Sequence, residues 1–242
     1  MAFCQLHWFS EVLNKQTTTW VLLPDKLSGP FATYYLLHGL SDDHTIWLRR
    51  TRIEMYVAGK PLIVVMPDGE RGFYTNHENG PRWAEHIGVE LPGMIERTFP
   101  AMTTRAGRCI GGLSMGGYGA LRVGLGYPNR FASANSHSGA PLFGTKPQDM
   151  PERMLIVGSK PAGSDHDILE LARKAKAARK LPRLRIDCGS EDFLIEDNRS
   201  LHQSLDKMKI KHEYQEFPGN HNWDYWDQHV REAIAFHLAE SK

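Results

Sequence analysis

Short apolar runs rich in β-branched and aromatic residues alternate along the chain with longer stretches whose apolar positions recur every three or four residues. The runs Thr18–Leu23, Thr33–His38, Leu62–Pro67, Gly107–Leu113, Phe131–Ser136, Leu184–Cys188 and Glu213–Phe217 read as strands. Helical periodicity covers Trp47–Tyr56, Arg82–Thr98, Met115–Tyr127, Ile168–Arg179, Arg199–Met208 and Trp223–Ala239. Strands separated by helices imply a mostly parallel sheet of about eight strands covered on both faces, an α/β architecture. Phe3–Phe9 and Thr18–Leu23 are joined too closely for a helical crossover, so they predict an antiparallel hairpin at one edge.

The rhythm breaks only at Pro141–Lys180, which carries prolines and glycines and then the basic segment Leu169–Lys180. No repeat or linker marks a boundary, so residues 1–242 are expected to form one domain, with 141–180 as a candidate cap or lid insertion. The basic segment is expected to be a solvated helix face rather than an anion-binding patch.

Composition narrows the partners. With 29 Lys+Arg against 28 Asp+Glu, the chain has no overall field to gather nucleic acid or to hold an anionic membrane. Nothing approaches an uninterrupted apolar run of about 18 residues, and Met1–Ser10 lacks the layout of a secretory signal. Cys4, Cys109 and Cys188 are odd in number and form no C-x-x-C pair, which fits free thiols in a reducing cytoplasm. The expected partner is a small, largely neutral molecule.

Gly112-Leu113-Ser114-Met115-Gly116 satisfies G-x-S-x-G between a strand and a helix, the setting in which a serine sits on a strained turn. Side chains two residues either side would meet the backbone there, and the glycines remove them. A serine hydroxyl needs a base, and histidine suits that exchange near neutrality. Of twelve histidines, His221 alone lies in a loop between the last strand and the last helix, on the edge where Ser114 is expected. The carboxylate that orients it should leave the preceding strand through Gly189–Phe193. Asp192 is the first choice, Glu191 the near rival, and Asp187 and Asp197 are less well placed. The apolar run Tyr34–Leu37 ends in His38-Gly39-Leu40, and such a loop conventionally lends one backbone N–H to an oxyanion. Leu40 and Met115 are the expected donors, with His38 bracing the loop. Trp47, Tyr74, Trp83 and Trp223 are candidate pocket walls, with Phe73 and Trp226 beside them.

In their order and spacing, YYLLHGLSDDHTIW, VMPDGERGFYTN, ELPGMIERTFP, GGLSMGGYGALR, DCGSEDFLIEDN and FPGNHNWDYWDQH span Tyr34 to His229. The chain thereby resembles the putative-esterase family of α/β-hydrolases, the group of esterase D, S-formylglutathione hydrolases and feruloyl esterases. Within it, the intracellular tributyrin esterase branch is the most similar. The resemblance implies a Ser114–His221–Asp192 triad, Leu40 and Met115 as oxyanion donors, and short-chain acyl esters as substrates. It also implies no cofactor and frequent homo-oligomerisation. Asn220 departs from the family, where a glycine usually precedes the histidine, and Pro141–Lys180 is not distinctive; both bear on acyl preference. Alternatives are a thioesterase acting on S-formylglutathione, a feruloyl-type esterase or an acyltransferase. A non-catalytic binding protein on the same fold and a metallohydrolase are more distant, since no triad member is missing and no H-E-x-x-H or H-x-x-E-H spacing occurs.

Overall fold

The computed structural model describes residues 1–146 and 150–239; residues 147–149, inside the stretch read as a cap, lie outside them. Eight strands form one sheet: β1 (Ala2–Ser10), β2 (Lys15–Leu23), β3 (Ala32–Leu37), β4 (Leu62–Pro67), β5 (Arg108–Leu113), β6 (Ser133–His137), β7 (Arg183–Gly189) and β8 (Glu213–Phe217). Their order across the sheet is β1-β2-β4-β3-β5-β6-β7-β8. β1 pairs antiparallel with β2, and β2 antiparallel with β4, while every pair from β4 to β8 is parallel. The edge hairpin expected from the short Phe3–Leu23 connection is therefore present. This is the α/β-hydrolase sheet.

The helices are α1 (Ile46–Arg50), α2 (Ile53–Val57), α3 (Trp83–Glu85), α4 (Leu91–Thr98), α5 (Met115–Gly126), α6 (Arg153–Val157), α7 (Ile168–Ala177), α8 (Ile195–Lys207) and α9 (Trp223–Leu238). Alternate residues of the central strands feed two cores. Tyr35, Leu37, Ile63 and Val65 join residues of α4, α5, α7 and α8 on one face. Tyr34, Leu36, Leu62 and Val64 join residues of α1, α2 and α9 on the other. Two-sided burial explains why these strands read as continuous apolar runs.

Two helical readings differ from the structure for local reasons. The stretch Trp47–Tyr56 breaks at Thr51, whose hydroxyl bonds Trp47 O and accepts from Ile53 N–H, so the side chain replaces the helical ladder. The stretch Arg82–Thr98 passes through a π turn at His86–Glu90. Pro92 has no N–H for the ladder and crowds the carbonyl four residues earlier, that of Gly88. That carbonyl accepts from Arg130 Nε instead, at 2.7 Å.

Within 141–180, α7 packs its Ile168, Leu171, Ala172 and Ala175 into the core beside α5, as the crossover between β6 and β7. The described residues before it are tied to neighbouring loops: Phe143 stacks on Phe73 at 3.4 Å between ring centroids, Tyr118 Oη donates to His166 O, and His166 Nδ1 meets Thr75 Oγ1 at 2.9 Å. Burial, then the Arg122 charge, push the His166 imidazole down to about 4. Between that value and the ordinary histidine pKa of about 6.5, the unfolded chain takes up a proton that the folded protein does not. Stability should therefore fall as pH drops through this window, by up to about 1 kcal/mol per unit once solvent screening is allowed for. Thermal midpoints of His166→Gln against the parent between about pH 4 and 7 test this, and parallel curves would refute it.

Candidate active site

β5 ends at Leu113 and α5 begins at Met115, so Ser114 alone makes the strand-to-helix turn. It does so at φ 53° and ψ −117°, a conformation that L-residues seldom adopt. The turn is held by Ser114 N–H donating to His137 O and by Tyr118 and Ala140 N–H donating to Ser114 O. The flanking glycines are needed for space. A Cβ on Gly112 would sit 2.7 Å from Gly116 O and from Leu37 O, and one on Gly116 would sit 2.6 Å from the carbonyl oxygens of Leu37 and His38. No side chain but hydrogen fits at either position.

His221 Nε2 lies 3.0 Å from Ser114 Oγ, and its Nδ1 lies 2.8 Å from Asp192 Oδ2. The acceptor-only carboxylate assigns the proton to Nδ1, which leaves Nε2 free to accept from the serine hydroxyl. Asp192 is 2% exposed, and its Oδ1 accepts from Leu194 N–H at 2.8 Å. Burial, the largest influence, pushes its carboxyl upward. The hydrogen bonds from His221 and Leu194 N–H, with the His221 charge, outweigh it and hold the carboxyl below its usual range.

The other carboxylates are engaged elsewhere. Glu191 is exposed, and Asn220 Nδ2 donates to it at 3.3 Å. Asp187 is fully buried, with His137 Nδ1 at 2.9 Å and Tyr225 Oη at 3.1 Å. Asp197 pairs with Lys146 at 2.7 Å. The loops carrying acid and base also brace each other: Ser190 N–H donates to Phe217 O, Glu191 N–H donates to Gly219 O, and a Cβ on Gly189 would overlap Gly219.

Among the described residues, neither Leu40 N–H nor Met115 N–H has a protein acceptor. The Leu40 loop comes close to the serine, since a Cβ on Gly39 would stand 3.9 Å from Ser114 Cβ. His38 is buried; its Nδ1 donates to Gly39 O at 2.7 Å and its Nε2 accepts from Gly69 N–H at 2.9 Å. Tyr74 Oη links to both the N–H and the carbonyl of His38. These contacts brace the loop in place.

The pocket aromatics separate. Trp47, Tyr74 and Trp83 are 1%, 0% and 2% exposed, packed into the core rather than presented to a ligand, which corrects the reading of them as pocket walls. Trp47 donates its indole N–H to Leu37 O, Tyr74 props His38, and the Trp83 ring covers Gly72. Trp223 is half-buried and stands edge-on to Trp47 and to Trp226, whose ring is edge-on to the His221 imidazole at 4.9 Å. A residue not singled out in the sequence, Phe193, lies 4.6 Å from that imidazole between ring centroids and is 77% exposed. Its signal was a large apolar side chain directly after Asp192 in an otherwise polar loop.

Burial pushes the Cys109 thiol up to about 12 and the Cys188 thiol further, so neither competes as a nucleophile. Among the described residues, His202, Asp206 and His212 bring candidate metal-ligand atoms within 4.8 Å of one another, a grouping that motif spacing did not reveal. There, however, His212 Nδ1 donates to Ile210 O and its Nε2 meets His202 Nδ1 at 2.8 Å, so the imidazoles satisfy each other. No helix among the described residues is long and apolar enough to cross a membrane.

Residues 10–237 match the family model described as "Putative esterase". The acetyl esterase of Caldicellulosiruptor saccharolyticus is 33% identical, with 97% of each chain covered. Two Staphylococcus aureus structures are similar throughout. The fluorophosphonate-binding serine hydrolase FphF, substrate bound, is 31% identical with a TM-score of 0.90, covering 99% of both chains. The S-formylglutathione hydrolase FrmB is 30% identical with a TM-score of 0.87, covering 98% of this chain and 99% of its own.

Proposed function

Because this chain belongs to the putative-esterase family and is a serine-type carboxylic ester hydrolase, we propose that it cleaves short-chain acyl esters through an acyl-enzyme on Ser114. The observation that carries the proposal is the contact chain from Ser114 Oγ to His221 Nε2 and from His221 Nδ1 to Asp192, 3.0 and 2.8 Å. His221 takes the Ser114 proton as the oxygen attacks the ester carbonyl. The negative charge on the former carbonyl oxygen rests on Leu40 and Met115 N–H, which have no competing acceptor among the described residues, and on the N-terminal end of α5. His221 then protonates the departing alcohol, and water repeats the cycle on the acyl-enzyme. Asp192 holds the ring in register and stabilises the imidazolium without taking its proton.

Preference for a small acyl group is supported by the acetyl esterase relative, which matches across nearly the full length. Phe193 borders the imidazole and offers exposed apolar surface to the substrate, while Trp226, edge-on to Trp223, packs against the same ring. The buried free thiols Cys109 and Cys188 suit a reducing compartment, and we place the enzyme in the cytoplasm. A thioester reading has its own support in the likeness to FrmB.

A p-nitrophenyl ester series from acetate to octanoate, run beside S-formylglutathione, tests the assignment. We expect kcat/KM to peak at two to four carbons and fall by roughly tenfold or more at eight, since each methylene that does not fit forfeits about 1–3 kcal/mol. A maximum at eight carbons would overturn the short-chain reading. Turnover of the thioester exceeding every ester by about a hundredfold would replace it with the second one.

A further inference from the structure

On the flank formed by α5 and α7 lies a cavity of about 290 Å³, bordered by Arg122, Lys174, Asn76, Tyr127, Leu171 and Asp165. Arg122 is 4% exposed, yet it forms no ion pair among the described residues. Its Nε donates to Thr75 Oγ1 at 3.2 Å. Its terminal nitrogens donate to no protein acceptor among the described residues and sit beside the cavity wall, Nη1 being 3.5 Å from where a Gly126 Cβ would stand. The guanidinium carbon lies 5.9 Å from the Tyr127 ring centroid, which steadies the cation without neutralising it. The second cation, Lys174, contacts Asp165 at 3.2 Å and, outside the cavity wall, Glu170 at 3.8 Å. The wall therefore carries two positive charges and one negative, and the unpaired cation is the buried one of the two.

A buried, uncompensated charge costs several kcal/mol and is normally paired. A guanidinium with two free terminal N–H forks is matched by the two oxygens of a carboxylate or phosphate. We propose that this cavity binds a small oxyanion, phosphate or a short carboxylate, with Arg122 as the principal contact and Lys174 as the second. The cavity is too small for a nucleotide-sized ligand. Thus one lysine of the basic run, read from sequence as facing only solvent, serves a site. The inference is independent of the triad, because no wall residue belongs to it.

Calorimetric titration with inorganic phosphate and, separately, with acetate, at ionic strength fixed with sodium chloride, tests this. We expect saturable one-to-one binding of at least one ion, weakened tenfold or more in Arg122→Met and by a few fold in Lys174→Ala. At about ten times the dissociation constant the thermal midpoint should rise by roughly 3–6 °C. Gly126→Val, which sets a side chain against Arg122 Nη1 while keeping both charges, should also abolish binding and keeps the test decisive if Arg122→Met does not fold. No saturable binding of either ion, or equal binding by the parent and Gly126→Val, overturns the proposal. So does acetate binding that is lost only when Ser114 is covalently blocked, because the anion then sits at the catalytic serine.

Discussion

Ser114→Ala should lower kcat on p-nitrophenyl acetate by about 10⁴–10⁶-fold, leaving the residue of catalysis that oxyanion donors and substrate binding supply on their own. The substitution deletes one oxygen. The elbow is held by backbone contacts from Ser114 to His137, Tyr118 and Ala140, all of which alanine retains. Circular dichroism and the thermal midpoint should therefore stay near those of the parent, which separates loss of the nucleophile from loss of the fold. Stoichiometric labelling by a fluorophosphonate should vanish in the same variant. Near-native turnover would remove Ser114 from the chemistry, and with it the role assigned to His221.

Asp192→Asn should cost about 10⁴-fold in kcat at unchanged fold. The carboxylate now accepts from Nδ1, leaving Nε2 bare toward Ser114. An amide in the same place can donate its N–H₂ to Nδ1, which moves the ring proton to Nε2 and leaves no base facing the hydroxyl. Stability follows a separate course. The folded carboxyl is held below its unfolded value, so its contribution is complete above the ordinary carboxyl range of about 4 and disappears as pH falls through the lowered value. The thermal midpoints of parent and variant should thus differ at pH 7 and converge in acid. Glu191→Gln is the control; this exposed side chain accepts from Asn220, also exposed, and the variant should retain nearly full activity. If Asp192→Asn keeps a tenth of the parental kcat, the carboxylate is not what orients the ring.

The parts of this molecule that were legible in sequence share a physical origin. The runs Leu62–Pro67 and Glu213–Phe217 coincide with β4 and β8, and the edge hairpin follows from chain connectivity alone. The residues now found in contact, Ser114, Asp192 and His221, were picked out because strand-to-helix and strand-exit loops converge on one sheet edge in this topology. What escaped depends on packing. The apolar pattern starts β6 two residues early, at Phe131, because its true span Ser133–His137 is polar. That polarity is buried: Ser133 meets His237, and Asn135 meets both Tyr34 and His237. A polar network turned to the interior leaves no hydrophobic period to detect. The aromatics failed similarly. Trp47, Tyr74 and Trp83 look no different in a string of letters from Trp223, and only burial separates them.

The way Gly189 is pressed against Gly219, with two backbone bonds crossing between the strands' exit segments, couples the acid's position to the base's. Transplanting either segment from a relative, or inserting residues into one of them, would pull its counterpart out of alignment. Laboratory evolution of substrate range is better aimed at Phe193, whose exposed ring borders the His221 imidazole and takes no part in the backbone clamp.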